Sequence, residues 1–335
     1  MTSSEPDDNR PYTAPENISI SLRGFDTEER ATAFGNMTAV IIRILSRDIN
    51  LSHLDGVTFA YDYANALAEL DRGTATSTVL TASSGNVVGI AMSPAVLRDG
   101  TLKTHIVFEA GLMHGLDDPK HDNFPLALHT LAHECAHVEI NHIFDTAFPN
   151  VLLRKQHSSL LDGMRSQVIL ACWDEYAATR ICALYGRDPT TGYEETFLTS
   201  LNSSRESANK AIIDYRLHCE IPRVFNEACI IYANLMKYSC YHIGNMVGRG
   251  LSLESLPNTM NALDGHWYFP YFKKLEDICG RIWGQYGKWE DFTLFDEIGD
   301  LLEELLAEGG LHIYPNSDGG FYLDIPFSSE TMPQM

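Results

Sequence analysis

Long apolar runs are missing from this chain of 335 residues: no stretch reaches the roughly 20 consecutive apolar residues that cross a bilayer. The N-terminus, MTSSEPDDNRPYTAPEN, is polar and acidic and lacks the basic and apolar regions of a secretory signal. A cytoplasmic location is the resulting expectation. Basic clusters are also scarce. With 24 Lys and Arg against 45 Asp and Glu the formal charge is -21, which repels phosphate backbones and anionic headgroups and argues against nucleic-acid or membrane partners. The seven cysteines are odd in number and carry no CxxC spacing, so reduced core thiols explain them better than disulfides or a thiolate zinc site.

What is present is enough to fold. A hydrophobic content of 44% supports one large domain or two closely packed ones. Residues 1–16 read as a flexible leader. Strands are expected at 18–25, 56–64, 86–92 and 104–110, where β-branched and apolar residues are bounded by Pro and Gly. A helix is expected at 27–48, and another at 125–144, begun by a proline and free of internal breakers. Helical patterns then dominate at 158–186, 192–218, 222–247, 273–286 and 291–307, and residues 309–327 read as a hairpin turning at NSDGG. Strands first and helices later predict an α+β fold. The expected architecture is a small antiparallel or mixed sheet on a helical core, residues 17–190, followed by a mostly helical region, 191–335.

Chemistry concentrates in LAHECAHVEINH, residues 131–142. His133-Glu134-Cys135-Ala136-His137 has HExxH spacing, and on a helix residues four apart stack on one face. Two neutral imidazoles can then hold zinc while Glu134 reaches the open coordination position, takes a proton from metal-bound water and returns it to the departing amine. The apolar flanks Leu131, Ala132, Ala136, Val138 and Ile140 make an unpartnered polar seam costly there. His142 lies five residues past His137, about 140° around a regular helix, and suits a cap or the surface. Glu139 points away as well. His129 extends the histidine stripe, where it either lines the cleft or, the better reading, plays a structural part.

A third ligand has to come from elsewhere. Glu175, in ACWDEYAATR, is a carboxylate among Ala171, Cys172, Ala178 and Cys182; it either reaches a metal or pairs with Arg180 or Arg165. Thr179, one turn later, is placed to support a ligand from behind, and Asp174 is a weaker substitute.

Together these motifs resemble the gluzincin metallopeptidases, in which HExxH is completed by a glutamate of a following helix, here Glu175 and Ala178 in DEYAAT. A distant likeness to the ImmA/IrrE type of peptidase is also visible. The resemblance covers about residues 85–185, less than a third of the chain, and the aspartate of some members is replaced by Thr179. It implies zinc held by His133, His137 and Glu175, a protein or peptide substrate, and an edge strand before the metal helix that receives the substrate as an added strand, for which THIVFEA, His105 to Ala110, is in the right order. THIVFEA reads equally well as an ordinary sheet strand. The resemblance further implies a Tyr or His oxyanion donor from a later helix, best matched by Tyr241 and His242, with Tyr185 and Tyr176 competing. A zinc metallopeptidase is therefore expected. A metal-containing binding module, or an enzyme acting on another amide, is the alternative.

Overall fold

The computed structural model describes residues 10–75, 79–82, 89–316 and 320–332. The fold is α+β, with a mixed five-stranded sheet, a separate two-stranded sheet and a long helical series. The chain clusters into two compact units, residues 1–154 with 184–188 and residues 155–183 with 189–335. The second unit therefore begins well before residue 191, because the helix carrying Glu175 groups with the later helices.

In the first unit β1 (Ile20–Arg23), β2 (Leu54–Ala60) and β5 (Thr101–Glu109) run parallel, in the order β1-β2-β5. Helix α1 (Glu28–Leu45) makes the first crossover. Thr27 caps it by accepting from the Arg30 N–H, and Glu28 and Glu29 sit at its positive end. Against the far side of β5 lie β3 (Ala91–Met92) and β4 (Ala95–Arg98), both antiparallel to it. Their common register makes them one edge strand interrupted at Ser93-Pro94. Asp99 and Gly100 connect β4 to β5 with φ of 50° and 79°, the left-handed pair that a tight hairpin turn requires.

Alternation along the strands separates two faces. Val57, Phe59, Ile106 and Phe108 share one face, where Phe34 of α1 meets Phe59 edge-on, with centroids 4.9 Å apart, and Phe59 stacks on Phe108. Helix α3 (Phe124–Ala147) packs on the same face, its Asn141 amide donating to the Thr104 hydroxyl. Short α2 (Tyr63–Ala68) covers the other face, packing Tyr63, Ala66 and Leu67 against Val107. The expected strand at 56–64 thus ends at Ala60, and Asp62 caps a helix by accepting from the Asn65 N–H. The expected leader is tied down from residue 10 onward: the Thr13 hydroxyl reaches the Ser46 and Ile49 carbonyls and accepts from the Leu51 N–H. Residues 1–9, 86–88 and 317–319, the last within the expected hairpin turn, lie outside the described residues.

The second unit holds α4 (Leu160–Cys182), α5 (Thr190–His218), α6 (Ile221–Gly248), α7 (Pro257–Leu263), α8 (Phe269–Gly284), α9 (Thr293–Glu308) and the antiparallel pair β6 (His312–Pro315) and β7 (Phe321–Asp324). The aromatic cluster HWYFPYF, residues 266–272, runs into the start of α8, with Tyr268 and Phe272 fully buried. Helices α4 and α6 cross closely at Gly244 and Gly248. All seven cysteines are free thiols, and six are buried. No helix among the described residues is long and apolar enough to cross a membrane.

Candidate metal centre

Helix α3 builds the site. Pro125 stands in its first turn, where the missing N–H costs nothing. The Asn123 amide, just before the helix, donates to the Leu112 and His114 carbonyls and fixes the entering loop. From Leu131 to Val138 every residue is buried, including His133, Glu134 and His137, which retain 9%, 7% and 6% of their exposure. Three ionisable side chains in an apolar seam need a reason to be there.

Geometry supplies one. The His133 and His137 Nε2 atoms are 3.1 Å apart, with the rings edge to face. A zinc ion about 2.05 Å from each nitrogen would see them at an angle of about 100°, close to tetrahedral. A carboxylate oxygen of Glu134 lies within 4.8 Å of a ring nitrogen of each histidine, and among the described residues these three side chains form the one cluster of metal-binding type. The donor set, two imidazoles with a carboxylate beside them, is of a kind that fits zinc.

Glu134 is held from the sheet side. The Ser93 hydroxyl lies 2.7 Å from its Oε2 and 3.2 Å from its backbone carbonyl. Ser93 faces Ile106 across the shared register of β3 and β4 with β5, so its side chain emerges on the α3 face. Sequence reasoning missed this residue, whose one local signal is the Ser-Pro step that interrupts the edge strand. The Glu134 charge also bears on Tyr63: burial first, and that charge second, push its phenol well above the usual range.

The remaining histidines of the stripe do other work. His129 Nδ1 lies 3.1 Å from the Tyr185 carbonyl, tying α3 to the segment 184–188, so its part is structural. His142 stacks on His53 with centroids 3.7 Å apart, and burial lowers its pKa. Glu139 turns away as expected and accepts from the Asn50 N–H at 2.6 Å.

Glu175 lies on α4 in the second unit, half-buried, with its Oε2 shielded from solvent. Its charge, after burial, raises the pKa of Tyr238 on α6. Arg165 is engaged by Asp300 and Glu303, and Arg180 donates to the Tyr176 hydroxyl and lies over the Trp283 ring. Thr179 does not act as expected. Its hydroxyl donates back to the Glu175 and Tyr176 carbonyls at 2.7 and 3.2 Å, so it serves its own helix instead of a ligand.

The oxyanion expectation fails at His242. The ring is fully buried, stacks on Phe197 and holds the Thr259 hydroxyl at 2.9 Å. Burial depresses its pKa to about 4, the Glu194 charge opposing weakly. Sealed among helices, it has no face to offer a substrate. Tyr241 on α6 packs among Tyr193 and Tyr238. Of the competing tyrosines, Tyr185 donates to Asp48 and Tyr176 accepts from Arg180.

The strand expected to receive a substrate is also displaced. THIVFEA belongs to β5, which is paired on both sides, with β2 on one and with β3 and β4 on the other. An interior strand has no free edge. The edge beside Glu134 is formed by β3 and β4. Compared with protein-family models, with curated proteins and with solved structures, the chain finds no match.

Proposed function

We propose that this protein is a zinc-dependent peptide hydrolase. The observation that carries the reading is the 3.1 Å separation of two buried imidazole nitrogens beside a carboxylate steered by a serine. His133 and His137 would hold the metal, and the gluzincin resemblance would make Glu175 the third ligand. Bound zinc supplies acidity to water and polarises a carbonyl. Glu134 accepts the proton from the attacking water and returns it to the departing nitrogen, so that hydroxide adds to the carbonyl carbon, the C–N bond breaks and an acid and an amine leave.

A peptide substrate is supported by the edge at β3 and β4, where an extended chain can add as a further strand beside the base. The acidity of the protein opposes polyanions and favours neutral or basic segments. A metal-containing binding module is the second reading, since the same cluster can hold an ion without turnover. The two part on one experiment. Purified protein is expected to carry about one zinc per chain, lost in His137→Ala and weakened in Glu175→Ala, while Glu134→Gln keeps its metal and loses hydrolysis. Incubating Glu134→Gln protein with cell extract traps partners that the metal-loaded wild type should cut in a chelator-sensitive way. Stable capture without cleavage would select the binding module.

A further inference from the structure

Among the described residues, the edge that faces Glu134 is covered at its β4 end and carries no outward backbone bond at its β3 end. The Pro94 and Ile90 carbonyls accept from the His105 and Glu109 N–H groups of β5 at 3.0 and 2.9 Å. In an antiparallel ladder these mark the residues whose backbone turns inward, so that of their odd-numbered neighbours Ala91, Ser93, Ala95 and Leu97 turns outward. At Leu97 the outward N–H already donates to the Arg72 carbonyl at 2.8 Å, and at Ala95 the outward carbonyl accepts from Arg72 Nε at 3.2 Å. Ala91 and Ser93 have no such cover among the described residues.

The covering segment is built to stay. Arg98 donates to the Asp71 carbonyl while its guanidinium grips both carboxylate oxygens of Asp55, which His105 also holds at 2.9 Å. Gly73 sits at φ +67°, where a Cβ would fall 2.0 Å from the Leu97 carbonyl oxygen. Only glycine lets the segment lie this close to the strand. Residues 71–73 thus occupy the place that the next peptide would take alongside β4.

We propose that this segment is a stop that sets where a substrate is cut: peptides enter with a short N-terminal side, and hydrolysis falls within about the first three residues. The inference rests on the peptidase reading and names the substrate class of the same site. A strand added antiparallel to β3 and β4 runs from Leu97 toward Ala91, so its N-terminal residues point at the stop. The Ser93 contact with Glu134 places the reacting bond near Ser93. From Ser93 to Leu97 is four residues, about 13 Å at 3.3 Å each, and the stop claims roughly the outer half. That leaves space for about two residues before the cleaved bond. The water oxygen goes to the carbonyl of the released N-terminal piece and its two protons to the carboxyl and amine products.

The test uses the full chain loaded with zinc and a set of defined peptides of about 14 residues, each also made with five extra residues at its N-terminus. Mass spectrometry should find cuts within the first three residues of both versions, the cut moving with the new N-terminus. Arg72→Ala, which frees the Ala95 carbonyl, should add deeper cuts. Cuts fixed in sequence, with five or more residues on their N-terminal side, overturn the stop and leave the peptidase reading intact. No cleavage of any peptide removes the hydrolase reading instead, and hydrogen exchange of Glu134→Gln protein with the same peptides then decides the stop. Slowed exchange at Ala91 and Ser93, with Leu97 protected before and after, supports it. Unchanged exchange at Ala91 and Ser93, or a Leu97 amide open in the free protein, overturns it.

Discussion

Replacing Gly244 by alanine should destabilise the helical unit, although alanine is the better helix former. At this position on α6 a Cβ would lie 2.2 Å from the Thr179 Oγ1 and 2.3 Å from the Tyr176 carbonyl oxygen of α4. Ordinary carbon to oxygen contact is more than 3 Å, so the helices must part by about 1 Å or lose contacts around the crossing. Thr179 cannot simply rotate away, because its hydroxyl bonds to the Glu175 and Tyr176 carbonyls. Overpacking of this kind costs about 1–3 kcal/mol or somewhat more, against a gain of up to about 1 kcal/mol in helix propensity. The net expectation is a loss of about 1–2 kcal/mol. In a unit of this size that lowers the melting temperature by about 2–8 °C. All four tryptophans, Trp173, Trp267, Trp283 and Trp289, belong to the second unit, so tryptophan fluorescence in urea or on heating reports this unit alone. Gly280 is the internal control. It lies inside α8 with nothing within 4 Å of its would-be Cβ, and Gly280→Ala should stabilise by about 0.5–1 kcal/mol. A Gly244→Ala protein as stable as Gly280→Ala would refute the close crossing.

Ser93→Ala should keep zinc and fold but lower kcat about tenfold with little change in KM, since it frees the base while leaving the metal-binding side chains and the backbone of the edge in place; Ser93→Thr should restore most of the loss, and an unchanged kcat would remove Ser93 from the mechanism. His242 offers a pH test. Its folded pKa, about 4, lies below the ordinary 6.5, so the unfolded chain takes up the proton first as pH falls, and the helical unit should lose stability from about pH 6.5 down to about pH 4, on the order of 3 kcal/mol. His242→Gln should flatten that slope in urea melts followed by tryptophan fluorescence, and an equal slope would show that another group governs it. Asp55 behaves in the same direction at lower pH: burial raises its pKa, but hydrogen bonds from His105 and Arg98 outweigh it and hold the carboxyl low. Its contribution is present above about pH 4 and fades as pH falls through the folded value, so the stability gap between wild type and Asp55→Asn should narrow on acidification.

Local spacing determined much of this protein before any folding was considered. His133 and His137 meet because residues four apart on a helix always do, and that helix was legible from Pro125 and an unbroken apolar run. The later helices were legible for the same reason: a period of 3.6 is written over a few adjacent residues. What the sequence could not contain is which strand lies beside which. THIVFEA reads as a strand from its composition, but only the pairing with β2, β3 and β4 makes it interior and, among the described residues, leaves the outward edge to Ala91 and Ser93. Ser93 precedes Glu134 by 41 residues and reaches it only because the register with β5 turns its side chain toward α3. His242 was matched as a donor only through the family resemblance, and helix packing against Phe197 and Thr259 closed it off. Arg72 and Gly73 carry no motif at all. Their role beside Leu97 arises from hydrogen bonds between backbones some 25 residues apart, and such bonds depend on tertiary placement because every residue type but proline can make them equally well.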